Sequence, residues 1–235
     1  MEVIGFSLPD YLGLAWFIAA WIAYYAMVER TVAGQRSLNR VMNQQRYAWM
    51  RTHLARDNRI IDANINASLQ NGTAFFASTS LLALGGSLTL LRSTQEVLTL
   101  LSEVPFGVAT TRLAWEVKAL GLTVIFAYAF FKFAWSYRLF NYSAILIGAV
   151  PERKEADEAT RELAAWRAAS MNAVAGRHFN RGQRAFFFAL AYLGWFVSAY
   201  VLMVATACVL YVMWHRQFGS DALAALGRGT WPEAP

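Results

Sequence analysis

Four stretches of the chain are apolar for long enough to cross a bilayer: residues 8–28, 73–91, 119–137 and 185–214. A spanning helix needs about 20 mostly apolar residues, so the pattern predicts four transmembrane helices. The intervening residues 29–71 and 138–184 have a different rhythm. Leu38, Val41, Met42, Trp49 and Leu54 recur at near-helical spacing with arginines between them, the mark of an amphipathic helix. After Pro151, with Glu152 and Glu155 in the first turn, a second such helix is expected, its apolar stripe running through Ala159, Leu163, Trp166 and Ala173. Pairs four apart, Lys154 with Glu158 and Asp157 with Arg161, would support it. Residues 139–150 are too few to span and are expected to be a cytoplasmic continuation of the third helix or a re-entrant piece. Val97, Leu98, Leu101 and Val104 share a face and predict a small interfacial helix between the second and third spans. The expected fold is an all-α integral membrane protein, a single membrane domain over residues 1–235. Its four spans carry long helical cytoplasmic extensions.

The second span has an unusual approach. From about Ala55 to Leu91 only glycines interrupt the helical pattern, yet "RDNRIIDANINASLQNGTAFFASTS" passes from charged to apolar within it. Asn58, Asp62, Asn66 and Thr73 fall on one helical face, and Asp57, Asn64, Ser68 and Asn71 form a second polar face. Asparagine is a poor helix former, so these residues weaken the helix unless their amides find partners.

Composition agrees with lipid as part of the solvent. Hydrophobic residues make up 57% and charged residues 15%, where a soluble domain carries about 25% charge. The net charge of +6 is placed rather than spread: seven arginines lie in residues 29–71 and eight basic residues in 138–184, of 21 in all. Under the positive-inside rule both segments are cytoplasmic and both termini lie on the non-cytoplasmic side, in a bacterial inner membrane. This placement argues against nucleic acid as a partner and for anionic lipid headgroups. The start, "MEVIGFSLPD", lacks the basic region of a signal peptide, so residues 8–28 are expected to be a retained span. The single cysteine, Cys208, excludes an intrachain disulfide and is expected to pack inside the fourth span.

Candidate chemistry is sparse. His53, His178 and His215 are scattered, and no metalloprotease, nucleophile-elbow, Walker or dinucleotide motif occurs. No catalytic residue, metal site or cofactor is therefore expected. Asp62, Asn66 and Thr73 have two uses: a ring at the mouth of a cation path in a homo-oligomer, or hydrogen bonds to neighbouring helices and water. Ser78 and Gly86, and in parallel Thr79, Ala83 and Ser87, recur at multiples of four and form a small-residue seam for close helix packing. Lys132 is the one ionisable residue well inside a span. It would serve an anion path, pair with a carboxylate such as Asp62, or snorkel to the membrane edge. Glu116 and Lys118 are expected to pair at the outer end of the third span.

The stretch "RDNRIIDANINASLQNGTAFFASTSLLALGG", with Phe75 to Thr79 as its most specific part, resembles the domain-of-unknown-function 599 family of bacterial and plant membrane proteins. The resemblance covers most of the chain. It implies a multi-span helical membrane protein and brings no established activity and no catalytic residue. The expected function is a homo-oligomeric channel or transporter-like protein. The alternative is a non-catalytic structural or accessory subunit of a larger membrane complex. The partners are the lipid bilayer and either further copies of the chain or other membrane subunits.

Overall fold

A computed structural model of the chain describes residues 5–96, 99 and 111–226. The small helix expected around Leu98, Leu101 and Val104 falls outside them. The described elements are helices α1 (Leu8–Arg30), α2 (Leu38–Leu54), α3 (Ile60–Arg92), α4 (Arg112–Gly148), α5 (Glu158–Leu193), α6 (Ala199–Phe218) and the short α7 (Asp221–Ala225), with 3-10 turns at Ala33–Arg36 and Gly194–Phe196. No strand occurs among the described residues. Four stretches are long and apolar enough to cross a membrane: Leu8–Arg30, Ile60–Arg92, Arg112–Gly148 and Ala199–Ala225.

Local chemistry sets the helix ends. At α1, Pro9 sits in the first turn and the Asp10 carboxylate accepts the Ser7 N–H at 3.0 Å. After α1 the chain turns so tightly at Gly34 that a Cβ there would run into the Val28 carbonyl. Ser37 caps α2 by accepting the Arg40 N–H. The long helix expected from about Ala55 begins at Ile60 instead, because Asn58 takes the Ile60 N–H on its side chain and holds residues 55–59 as a connection. Likewise Pro151 does not start α5. Asp157 accepts the Thr160 N–H at 3.1 Å, and the helix begins at Glu158.

The helices group into two compact units. The first comprises Met1–Gly34, Thr79–Ala129 and Gln183–Arg216. In it α6 lies parallel to α1: Trp16 donates to the Met203 carbonyl and Tyr24 to the Met213 carbonyl. The end of α5 runs the opposite way, with Arg184 paired to Glu29, Phe188 against Phe17 and Trp21, and the Trp195 indole donating to Asp10. The expected fourth span, residues 185–214, is therefore two antiparallel pieces. The reversal is the 3-10 turn Gly194–Phe196, held by Lys118, whose ammonium donates to the Trp195 carbonyl at 2.8 Å. Lys118 is thus not the partner of Glu116, which pairs with Arg112. Five helical segments, from α1, α3, α4, α5 and α6, run through the first unit in alternating directions. The expectation of both termini on one side rested on a single crossing between residues 185 and 214, and the reversal removes that basis. Its core is aromatic: Phe17, Trp21, Phe188 and Tyr192 interlock around the buried Leu122 and Leu202. Cys208 faces outward rather than into this packing.

The second unit comprises Gln35–Ser78, Phe130–Gly182 and Gln217–Pro235. Here α4 continues through residues 139–148, the helical continuation rather than a re-entrant piece. The buried face of α5 is a ladder of small residues, Ala165, Ala168, Ala169, Ala173 and Ala175, while Leu163 and Trp166 of the expected apolar stripe point outward. Small residues let backbones approach closely, and Met50, Ile147, Leu139 and Phe140 fill the core beside them.

Candidate functional site

The inner face of α3 carries an amide and hydroxyls, each two turns from the next: Asn66, Thr73, Ser80 and Ser87, preceded by Asp62 one turn before Asn66, and Thr94 follows just past the end of the helix. Seven residues fall about 20° short of two full turns, so the set stays on one side of the helix, and all six are buried. Several hydroxyls are satisfied locally. Thr73 donates to the Leu69 carbonyl and Ser87 to the Leu84 carbonyl, both at 2.8 Å, and Thr94 to the Leu91 carbonyl at 2.9 Å. Ser87 also accepts from Thr123 on α4 at 2.9 Å. The opposite face exposes Phe75, Ser78, Leu81, Leu82, Gly85, Gly86 and Leu88. A Cβ added at Gly85 or Gly86 would meet nothing within 4 Å.

At the start of α3, Asp62 is wholly buried and receives three donors. The Trp49 indole N–H and an Arg56 guanidinium N–H reach Oδ1, each at 2.6 Å, and His53 Nδ1 reaches Oδ2 at 2.8 Å. Indole and guanidinium can only donate, so the oxygens act as acceptors. The contact to a carboxylate places the imidazole proton on Nδ1. His53 Nε2, also buried, has no hydrogen-bond partner among the described residues.

One turn on, Asn66 donates to the Phe140 carbonyl at 3.3 Å, and its own side-chain oxygen faces Asn172. Asn172 is the centre of this group. Its amide nitrogen lies 3.1 Å from Ser143 Oγ and its oxygen accepts from Arg46 Nε at 2.7 Å. Burial, with the charge of Arg177 adding to it, pushes the Arg46 guanidinium down from its ordinary value. Gly176 makes room for that guanidinium, which a Cβ would strike. Gln70 donates to Asn141 at 2.7 Å. Asn66, Ser143 and Asn172 are buried and hydrogen-bonded to one another or to backbone, an arrangement that fixes the register of four helices.

Two further arginines close helix ends. Arg59 donates to the carbonyls of Val150 and Pro151 beyond α4, and Arg161 to those of Leu54, the last residue of α2, and Pro151. Arg161 therefore does not pair with Asp157. Basic residues expected to meet headgroups thus serve partly as interior struts.

Chemically the group offers acceptors and donors already engaged with each other. Among the described residues no set of three His, Cys, Asp or Glu is placed to hold a metal. Asp62, Asn66 and Thr73 come together on one inner face, and a ring of them around an oligomer axis would require them on the outside. Lys132 is half-buried on α4. The small-residue seam divides: Ser87 is buried and Ala83 packs on the core, Thr79 is half-buried, and Ser78 and Gly86 lie outside. Sequence reasoning missed Trp49, His53, Arg46, Ser143 and Asn172. For His53 and Trp49 a signal exists, since a short connection obliges the last turns of α2 to meet the first turn of α3.

The family model described as "Protein of unknown function, DUF599" matches residues 12–222. Comparison with curated proteins and with solved structures gives no match.

Proposed function

The chain belongs to this family of unknown function, and from that premise we propose that it is a non-catalytic, multi-pass membrane subunit that acts by assembly. The outer face of α3 docks a transmembrane helix of a partner subunit in a larger membrane complex. The observation that carries this reading is the division of α3 into two faces. Asp62, Asn66, Thr73, Ser80 and Ser87 are turned inside the chain, while Ser78, Leu81, Leu82, Gly85, Gly86 and Leu88 are left outside. Bare glycines flanked by leucines form the surface on which a second helix approaches closely in a membrane. A conduction path lined by Asp62 and Asn66 would need the opposite orientation of α3. In this reading the basic segments face the cytoplasm. With five passes, the amino end of α1 and the carboxyl end of α6 then lie on opposite sides.

The test is site-specific cross-linking in native membranes from Leu82→Cys in a Cys208→Ser background. One discrete adduct with a different subunit, abolished by Gly86→Leu, is expected. Adducts only between copies of this chain would favour the homo-oligomeric channel-like reading, and an unmodified monomer throughout would overturn the docking proposal.

A further inference from the structure

In the first unit a groove of about 640 Å³ runs between the parallel helices α1 and α6, lined by Trp16, Ala19, Ala23, Tyr24, Leu210 and Trp214 among others. Its volume lies within the range of about 300–1,000 Å³ for ligand sites. The lining is aromatic and aliphatic along its length. On α1 it extends from Trp16 to Met27, roughly 16 Å at the rise of a helix. An open apolar groove of this length fits hydrocarbon chain rather than a polar metabolite.

The charge lies at one end. Because α1 and α6 run in the same direction, both deliver an arginine just beyond the groove, Arg30 three residues after Met27 and Arg216 two after Trp214. Arg184 joins them from α5. The guanidinium groups of Arg30 and Arg184 sit 5.9 and 5.6 Å from the centre of the Tyr25 ring, and that of Arg216 is 5.2 Å from the Phe187 ring. Glu29 pairs with Nη2 of Arg184, so three cations stand against one anion. Arg184 is 8% exposed, and its Nη1 has no hydrogen-bond partner among the described residues. A buried guanidinium N–H without an acceptor is costly, and a phosphate oxygen supplies a charge-assisted one.

We infer that this groove is a binding site for one anionic glycerophospholipid, with an acyl chain along α1 and α6 and the phosphate held by Arg184 with Arg30 and Arg216. The site uses α1, α5 and α6, so it stands or falls separately from docking on α3.

The test is native mass spectrometry of the full chain, purified in detergent and offered phosphatidylglycerol, phosphatidylcholine or inorganic phosphate. Wild type is expected to retain one phosphatidylglycerol about thirtyfold more strongly than phosphatidylcholine, in keeping with two net charges at a membrane surface. Inorganic phosphate at millimolar concentration should not displace it. Arg30→Gln combined with Arg216→Gln, both exposed positions, should erase the preference. Ala23→Phe, which fills the groove from an exposed position, should weaken both lipids while leaving thermal unfolding unchanged. Arg184→Gln should act most strongly, and if it does not fold the double variant carries the test. Equal retention of the two lipids, displacement by inorganic phosphate, or full phosphatidylglycerol binding by Ala23→Phe would each overturn the inference.

Discussion

His53 Nδ1 lies 2.8 Å from Asp62 Oδ2, and neither side chain has any solvent exposure. They are joined by the connection at residues 55–59, which also supplies Arg56 to the same carboxylate. One buried charge thus ties the end of α2 to the start of α3. This makes Asp62 an anchor of the second unit rather than a group presented to a partner.

Replacing Asp62 should therefore damage the fold. Asp62→Ala strips the acceptor from Trp49, His53 and Arg56 together, and removing one partner of a buried ion pair costs about 3–5 kcal/mol. Asp62→Asn should cost less, because an amide oxygen still accepts from Trp49. Thermal unfolding in detergent should rank wild type above Asp62→Asn above Asp62→Ala. An Asp62→Ala protein as stable as wild type would show that the contacts are not what holds α2 to α3.

Two glycine substitutions separate folding from assembly. Gly121 lies directly beneath Tyr192, whose hydroxyl a Cβ would strike, so Gly121→Ala should destabilise the protomer by about 1–3 kcal/mol through overpacking. Gly86→Ala meets nothing within 4 Å and should leave protomer stability unchanged or slightly raised, since alanine is the better helix former. Unfolding measured on both variants in the same detergent checks the contrast, and equal losses would contradict it.

The same division marks what could be read from the chain. Helix content and the apolar stretches follow from periodicity, which needs only neighbours in sequence. Asp62, Asn66 and Thr73 were legible as one face for the same reason. Which way that face turns was not, because in a membrane protein the outside is apolar too, and α3 buries Thr73, Ser80 and Ser87 while exposing Leu81, Leu82 and Leu88. The reversal at Gly194 was hidden for a related reason. The apolar stretch runs on through Trp195 and Phe196 without a polar break, and the turn is held by Lys118 and Asp10, both remote in sequence. Asn172 as a centre was invisible because its partners Arg46, Asn66 and Ser143 come from three other helices.

The start of α5 gives a pH-dependent prediction. Hydrogen bonds from Thr160, first its side chain and then its backbone, hold the Asp157 carboxyl below its ordinary value. A carboxyl lowered in the folded state contributes stability at pH above its unfolded value, and the contribution disappears as pH falls through the lowered value. Asp157→Ala should thus speed amide exchange at Thr160 at neutral pH, and acidification through the carboxylate range should bring wild type to the rate of the variant. A difference that persists undiminished at the acid end would remove the charged cap as its cause.

The parity of the first unit is the most decisive feature to test, because it bears on an expectation that charge alone supports. Trp16 with Met203 and Tyr24 with Met213 make α1 and α6 parallel, so Asp10 and His215 belong to opposite ends of the unit. In a Cys208→Ser background, Ser7→Cys and His215→Cys should react with a membrane-impermeant maleimide from opposite sides of sealed vesicles. Ser198→Cys, at the reversal, should label from the same side as Ser7→Cys. A single long helix through residues 185–214 would place position 198 in mid-membrane and leave it unlabelled from either side. Labelling of positions 7 and 215 from one side would restore the even count and exclude the reversal at Gly194.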